Sequence, residues 1–142
     1  MVQNPPEGYH TITPQTIVED ARATLDFIRD VLGASIEEVY ESDGVVQHSQ
    51  ARIGDSLIMV ATAAEEFPVF PFMLNVYVDD VDATFAKAIE HGATPLREPI
   101  DQFYGDRTGG VLDSQGNQWW ISTHIEDVSE EEIRRRMEER SG

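Results

Sequence analysis

The groups able to do chemistry in this chain are few. There are four histidines, His10, His48, His91 and His124, and no cysteine. Thiolate nucleophiles, cysteine zinc sites and disulfides are therefore excluded. His48 lies in His48-Ser49-Gln50 within a strand-like run and titrates near neutrality, which makes it the candidate general base. No acid or electrophile is matched to it. His91 precedes a helix-ending glycine and His124 follows the last strand, positions that suit solvent contact and capping. Amides recur at Gln15, Gln50, Asn75 and Asn117. Amides hydrogen-bond neutral ligands well and hold transition metals weakly. Trp119 and Trp120 are neighbours on one strand, so one faces the core and the other a cavity. Tyr77 and Tyr104 extend the aromatic set. Arg107, a lone base among acids, can be fixed by Asp106 as a bidentate pair, or can address a carboxylate or carbonyl at the lip of a pocket. Gln15, His48, Gln50, Asn75, Tyr77, Tyr104, Arg107, Asn117 and Trp120 form the candidate ligand-binding set, suited to a flat or partly apolar molecule. Ordinary packing is the competing role for each aromatic. No phosphate-binding glycine loop or nucleophile elbow is present.

These residues need a scaffold, and the sequence describes one twice. A helix is expected over Asp20–Leu32, with Asp20 as its cap, an apolar stripe through Ala21, Leu25, Ile28 and Leu32, and Gly33 at its end. Strand-like runs surround it at Tyr9–Val18, Ser35–Glu41, Val45–Ile53 and Leu57–Ala61. Pro14 removes one ladder donor from the first, and Ser42-Asp43-Gly44 makes a turn. Beyond a connection stiffened by Pro68 and Pro71 the order repeats. A strand at Phe72–Val78 leads to a helix over Asp80–His91, closed by Gly92. Three strands follow, at Thr94–Ile100, Asp106–Asp113 and Gln118–Thr123. The letters repeat too: DARATLDF at Asp20 matches DVDATFAK at Asp80, and each helix runs into Gly-Ala. The chain thus reads as α+β, two tandem βαβββ modules (9–62 and 71–124) whose sheet faces pack or curve around a pocket. A third helix follows over Ser129–Arg140, opened by a Ser129/Glu132 capping box and carrying a thin Ile133/Met137 stripe.

Composition sets the outer limits. The chain has 142 residues, 27 acidic against 10 basic side chains, and a formal charge of -17. Such a field repels phosphate backbones and anionic lipid, so nucleic acid and membrane are not expected partners, while a cationic ligand is attracted. The start lacks a basic region followed by an apolar run, no stretch is long enough to span a bilayer, and the expected location is the cytoplasm.

Five stretches carry a resemblance: EGYHTITP from Glu7, HSQARIGDS from His48, YVDDVDATFAKAIEHGAT from Tyr77, DQFYGDRTGGVLDSQGNQWWISTH from Asp101 and EDVSEEEIRRR from Glu126. Together they cover nearly the whole chain and resemble the vicinal oxygen chelate superfamily of glyoxalase I, bleomycin-resistance proteins and extradiol dioxygenases, most closely its PhnB-like glyoxalase-like branch. The resemblance implies paired βαβββ modules, a curved mixed sheet and often a homodimer. Metal-dependent relatives use histidine and glutamate from the first and last strands of each module. Here those strands offer Thr13 and Gln15, Met73 and Asn75, Ile58 or Met59, and Trp120. The related His-Ala-Glu pattern reads His48-Ser49-Gln50, and Gly-His reads Gly116-Asn117. No resident metal or cofactor is therefore expected, His10 and His48 being the only histidines in reach of the cavity. The leading expectation is a protein that binds or sequesters a small, aromatic or cationic organic molecule. The alternatives are a glyoxalase-like isomerase, lyase or dioxygenase with an unusual or metal-free site, and a protein-interaction domain with a vestigial pocket.

Overall fold

The computed structural model describes residues 2–141. Its elements run β1 (Gln15–Val18), α1 (Ala21–Leu32), β2 (Ser35–Ser42), β3 (Val45–Ile53), β4 (Ser56–Thr62), β5 (Met73–Tyr77), α2 (Val81–Glu90), β6 (Thr94–Asp101), β7 (Asp106–Leu112), β8 (Gln118–His124) and α3 (Glu130–Ser141). This is the expected α+β duplication with a C-terminal helix. The two modules form separate four-stranded mixed sheets, ordered β1-β4-β3-β2 and β5-β8-β7-β6. In each, the first strand runs parallel to the last and the other pairs are antiparallel.

Local chemistry sets the boundaries. The Asp20 carboxylate accepts from Ala23 N at 3.2 Å and that of Asp80 from Ala83 N at 3.1 Å, so both helices start one residue after their caps. Gly33 takes the left-handed conformation (φ 68°) that ends α1. Asp43 and Gly44 both have positive φ, as the tight β2–β3 hairpin requires. The first strand is shorter than the Tyr9–Val18 expected. Pro14 has no N–H, and only its carbonyl reaches the ladder, accepting from Met59 N at 2.9 Å.

One core serves both modules. Val18, Leu25, Ile28 and Val60 from the first join Val81, Ala88, Val111, Trp119 and Ile121 from the second in a single buried cluster. Each large aliphatic side chain fully buried there contributes about 1.5–3 kcal/mol. Trp119 is completely buried; its ring lies 6.2 Å from that of Phe27 on α1 and meets Phe72 edge-on at 5.3 Å. The sheets therefore turn their helix-covered faces toward a common core. By strand alternation their other faces point away from it. The linker closes the outer edge of β1 at one point, through Ile17 N to Phe70 O (3.2 Å) and Phe70 N to Ile17 O (2.8 Å). α3 buries none of its residues and is held by Arg136, which donates to Phe103 O (3.0 Å) and Glu126 (2.7 Å).

Candidate functional site

The outward face of module two is a ladder of matched rows. Strand register aligns Asn75, Trp120, Gly110 and Arg97 in one row across β5, β8, β7 and β6. The next row holds Tyr77, Ser122, Thr108 and Ile100, and beyond it stand His124 and Asp106. Gly110 is what makes the first row possible. A Cβ there would sit 2.6–2.7 Å from three carbons of the Trp120 ring, so the indole lies flat over the bare backbone. Arg97 reaches in from the far edge, its guanidinium carbon 4.9 Å from the Trp120 ring centre, and donates to the Thr108 hydroxyl. Trp120 Nε1 donates to Gln118 at 3.1 Å, and Ser122 Oγ donates to Asn75 Oδ1 at 2.7 Å. Thr108, Ser122 and Gly110 are buried beneath this rim.

A polar chain borders the row. The buried Asp106 carboxylate accepts from the Tyr77 hydroxyl at 2.7 Å, and its other oxygen lies 2.8 Å from His124 Nδ1. His124 Nε2 lies 2.7 Å from Asp127. Hydrogen bonds to Asp127 first and Asp106 second raise the His124 pKa above its ordinary value, favouring imidazolium. The hydrogen bond to Asp106 also raises the Tyr77 pKa, with smaller contributions from burial and nearby negative charge, so this phenol stays protonated.

Module one presents the equivalent face. Gln15, Met59, Gln50 and Glu38 share a row, and His48 pairs with Tyr40 with rings 6.3 Å apart and nearly parallel. Counted from the matched caps Asp20 and Asp80, Gln15 is equivalent to Asn75, Met59 to Trp120, Gln50 to Gly110 and Glu38 to Arg97. Between the modules, along the free edge of β5, runs an open groove of about 690 Å³. Its apolar walls include Leu32, Ile53, Ile58, Leu74, Val76 and Ala83; Asp55, Asp79 and Asp80 stand at its borders, and Asn75 and Tyr77 line it from β5.

The expected site residues therefore divide among five places. Asn75, Tyr77 and Trp120 share the module-two face, and Gln15, His48 and Gln50 the module-one face. Tyr104 is in the loop after β6, its ring edge-on to Phe103 at 5.2 Å. Two residues lie away from both faces. Asn117 is completely buried in the module junction, where it accepts from the Thr16 hydroxyl and from Phe72 N (3.3 Å) and donates to Asp113 (2.9 Å). Arg107 points to the helix side, pairing with Asp82 of α2 through two bonds of 2.8 and 2.9 Å and with Asp101 at 3.0 Å. The expected Asp106–Arg107 pair does not form, because neighbours on a strand face opposite ways. The sequence reading missed Arg97 and the Tyr77–Asp106–His124 chain. Their signal lies in cross-strand register, and irregularities on both sides of Arg97 hide that register from the sequence.

The fold's usual metal positions hold a poor donor set. The matched pairs are Gln15 with Met59 and Asn75 with Trp120, that is, two amides, a thioether and an indole. None is an anionic or imidazole ligand for a divalent ion, so these residues do not fit the metal of the metal-dependent relatives. Among the described residues no group of three or more histidine, aspartate or glutamate side chains is placed to hold a metal ion. No described helix is long and apolar enough to cross a membrane.

Comparison with known proteins agrees with this architecture. The sequence model of the Glyoxalase/Bleomycin resistance protein/Dioxygenase superfamily matches residues 10–121. An uncharacterized protein of Mycobacterium bovis is 28% identical over 138 residues, covering 89% of this chain and 91% of that protein. TioX from Micromonospora sp. ML1 superposes with a TM-score of 0.69 at 22% identity, over 82% of this chain and 99% of its own. A glyoxalase/bleomycin resistance protein/dioxygenase family enzyme from Burkholderia phytofirmans PsJN gives 0.66 at 23%, over 78% and 95%.

Proposed function

The chain belongs to the Glyoxalase/Bleomycin resistance protein/Dioxygenase superfamily, and within it we propose a small-molecule binding or sequestering protein. The ligand lies against the Asn75–Trp120 row and extends into the groove that shares Asn75 and Tyr77. The observation carrying this reading is the groove itself. It is about 690 Å³, the size of a small-molecule site, with mostly apolar walls from both modules and a few amide and phenol groups at one side. A cytoplasmic setting and a homodimer are part of the same proposal. Met73 and Tyr77 are 65% and 63% exposed on β5, whose outer edge pairs with no strand among the described residues, and Phe70 in the preceding linker is 74% exposed. A second copy covering these residues would bury apolar surface and remove a free strand edge.

The Tyr77–Asp106–His124 chain favours a second reading, metal-free enzymatic chemistry on the same face. A phenol and an imidazole tied to one buried carboxylate form a path along which a proton can be held or passed.

Native mass spectrometry of protein purified without a metal-affinity tag, beside elemental analysis, tests the proposal. Binding predicts a dimer carrying a small organic mass and no stoichiometric metal. Stoichiometric divalent metal, or a stable complex with another protein and an unfilled groove, would overturn it. Turnover of a ligand recovered in this way would move the assignment to the enzymatic reading.

A further inference from the structure

Most basic side chains of this acidic chain are paired with carboxylates. Arg22, Arg29, Arg52, Arg107, Arg134, Arg135 and Arg136 each form a salt bridge with a carboxylate. Among the described residues Lys87, Arg97 and Arg140 form none, although acids outnumber bases 27 to 10, and of these three only Arg97 is partly buried. Its guanidinium lies over the Trp120 ring and donates once, to Thr108. Its Nε–H is buried without an acceptor, the single buried side-chain polar atom left unpaired among the described residues. A buried donor in that state is costly, and native proteins rarely leave one without purpose.

We propose that Arg97 is the recognition point for an anionic group of the ligand, most simply the carboxylate of a flat-ring acid whose ring packs beside Trp120. This rests on the small-molecule reading above and specifies its ligand class. Guanidinium matches a carboxylate through paired N–H donors, and the contact with the indole and the bond to Thr108 hold it in place in advance, so less freedom is lost on binding. Gly110 leaves the space in which Arg97 and Trp120 meet. The equivalent position in module one is Glu38, which accepts from Tyr40 at 2.7 Å, so only the module-two face offers a cation there. The acidic surface taken alone points to a cationic ligand, but recognition at contact range is set by the group at the site, and long-range fields are screened within about 10 Å at 0.1 M salt.

The test uses the full chain, 15N-labelled, titrated with 2-naphthoate, 2-naphthamide and 2-naphthylmethylammonium. The indole N–H signals of Trp119 and Trp120 and the Arg97 Nε–H are followed. Naphthoate is expected to move the Trp120 and Arg97 signals and leave buried Trp119 in place, binding more tightly than the amide or the ammonium. Arg97→Gln is expected to weaken naphthoate roughly 10- to 100-fold and naphthamide little. Arg97→Lys, which keeps charge but loses the fork, is expected to fall between, and an unmoved Trp119 signal certifies each variant's fold. If the amide or the ammonium binds as well as the acid, or Arg97→Gln leaves naphthoate unchanged, the anion assignment is overturned while the site stands. If Arg97→Gln dissociates a dimer and spares naphthoate, Arg97 belongs to an interface and the assignment is again overturned. If none of the three probes moves Trp120, the small-molecule reading itself fails.

Discussion

Asn117→Ala separates a packing role from a ligand-binding one at the centre of the fold. Asn117 has no exposed surface, and its side chain joins three parts of the molecule. It accepts from Thr16 on β1, accepts from Phe72 N at 3.3 Å in the linker's last residues, and donates to Asp113 at 2.9 Å. A weaker contact reaches Thr24 of α1 at 3.4 Å. Alanine removes all four. Asp113 keeps Trp119 Nε1 as a donor at 2.9 Å, and the Thr16 hydroxyl can rotate toward another acceptor. Phe72 N–H has no such freedom. Leaving Phe72 N–H unpaired costs about 1–3 kcal/mol and losing the bonds to Thr16 and Asp113 about 0.5–1.5 kcal/mol each, so the total loss is about 2–6 kcal/mol. Against a domain stability of about 5–15 kcal/mol, that is a large fraction.

Urea unfolding followed by tryptophan fluorescence measures this directly, because Trp119 lies beside the lost contacts. With a slope of about 2 kcal/mol/M the midpoint falls by about 2 M. Asn117→Asp sharpens the test. It keeps the acceptor but sets a second carboxylate against Asp113 in the interior. It should be at least as destabilising at neutral pH and recover partly on acidification, when one of the two acids takes a proton. A loss below about 1 kcal/mol in the alanine variant, particularly with ligand binding abolished, would refute the reasoning and return Asn117 to the ligand-binding set.

Gly110→Ala should push the Trp120 ring off the face, since its Cβ would meet three ring carbons at 2.6–2.7 Å. A stability loss of about 1–3 kcal/mol and a displaced Trp120 indole signal are expected, and an unmoved indole would contradict the flat packing. His124 has a folded pKa above its ordinary 6.5, so its contribution is complete below the unfolded value and is lost as pH rises through the folded one. His124→Gln should therefore be less stable than the parent in acid and match it in alkali. An NMR titration should show Asp127→Asn lowering the His124 pKa. Glu132 is held at about 2 by its hydrogen bonds to Arg135 and Arg136, so its support of α3 is present above its ordinary 4.5 and is lost as pH falls toward 2. Helical signal from α3 should fall across that window, and Glu132→Gln should remove the transition.

The fold was legible because its signals are local. The caps Asp20 and Asp80, the helix-ending glycines and the Asp43-Gly44 turn each act within a few residues, and the repeat of letters revealed the duplication. The Trp119/Trp120 split needed only strand alternation. Two other features depend on which strands lie side by side and at what offset. Arg97 reaches Trp120 because β6 and β7 slip register on both sides of it, and no local pattern encodes that slip. Asp106 meets Tyr77 and His124 across 29 and 18 residues of sequence. Asn117 illustrates the opposite error. An amide beside a turn glycine has the right type for a ligand contact, but its burial follows from how the two modules dock.

The duplication also constrains the chemistry. The halves agree where the backbone dictates the residue, at the helix caps and the glycines that end the helices. They differ in every position of the row across the sheet: Gln15, Met59, Gln50 and Glu38 in one, Asn75, Trp120, Gly110 and Arg97 in the other. A ligand gripped alike by both halves would need matched donors at those positions, as the metal of the metal-dependent relatives does. Here one face ends in a carboxylate held by a phenol and the other in a guanidinium lying on an indole. A molecule touching either row therefore meets a different charge and a different surface. Any binding across these rows is therefore directional, with the aromatic and cationic end on module two.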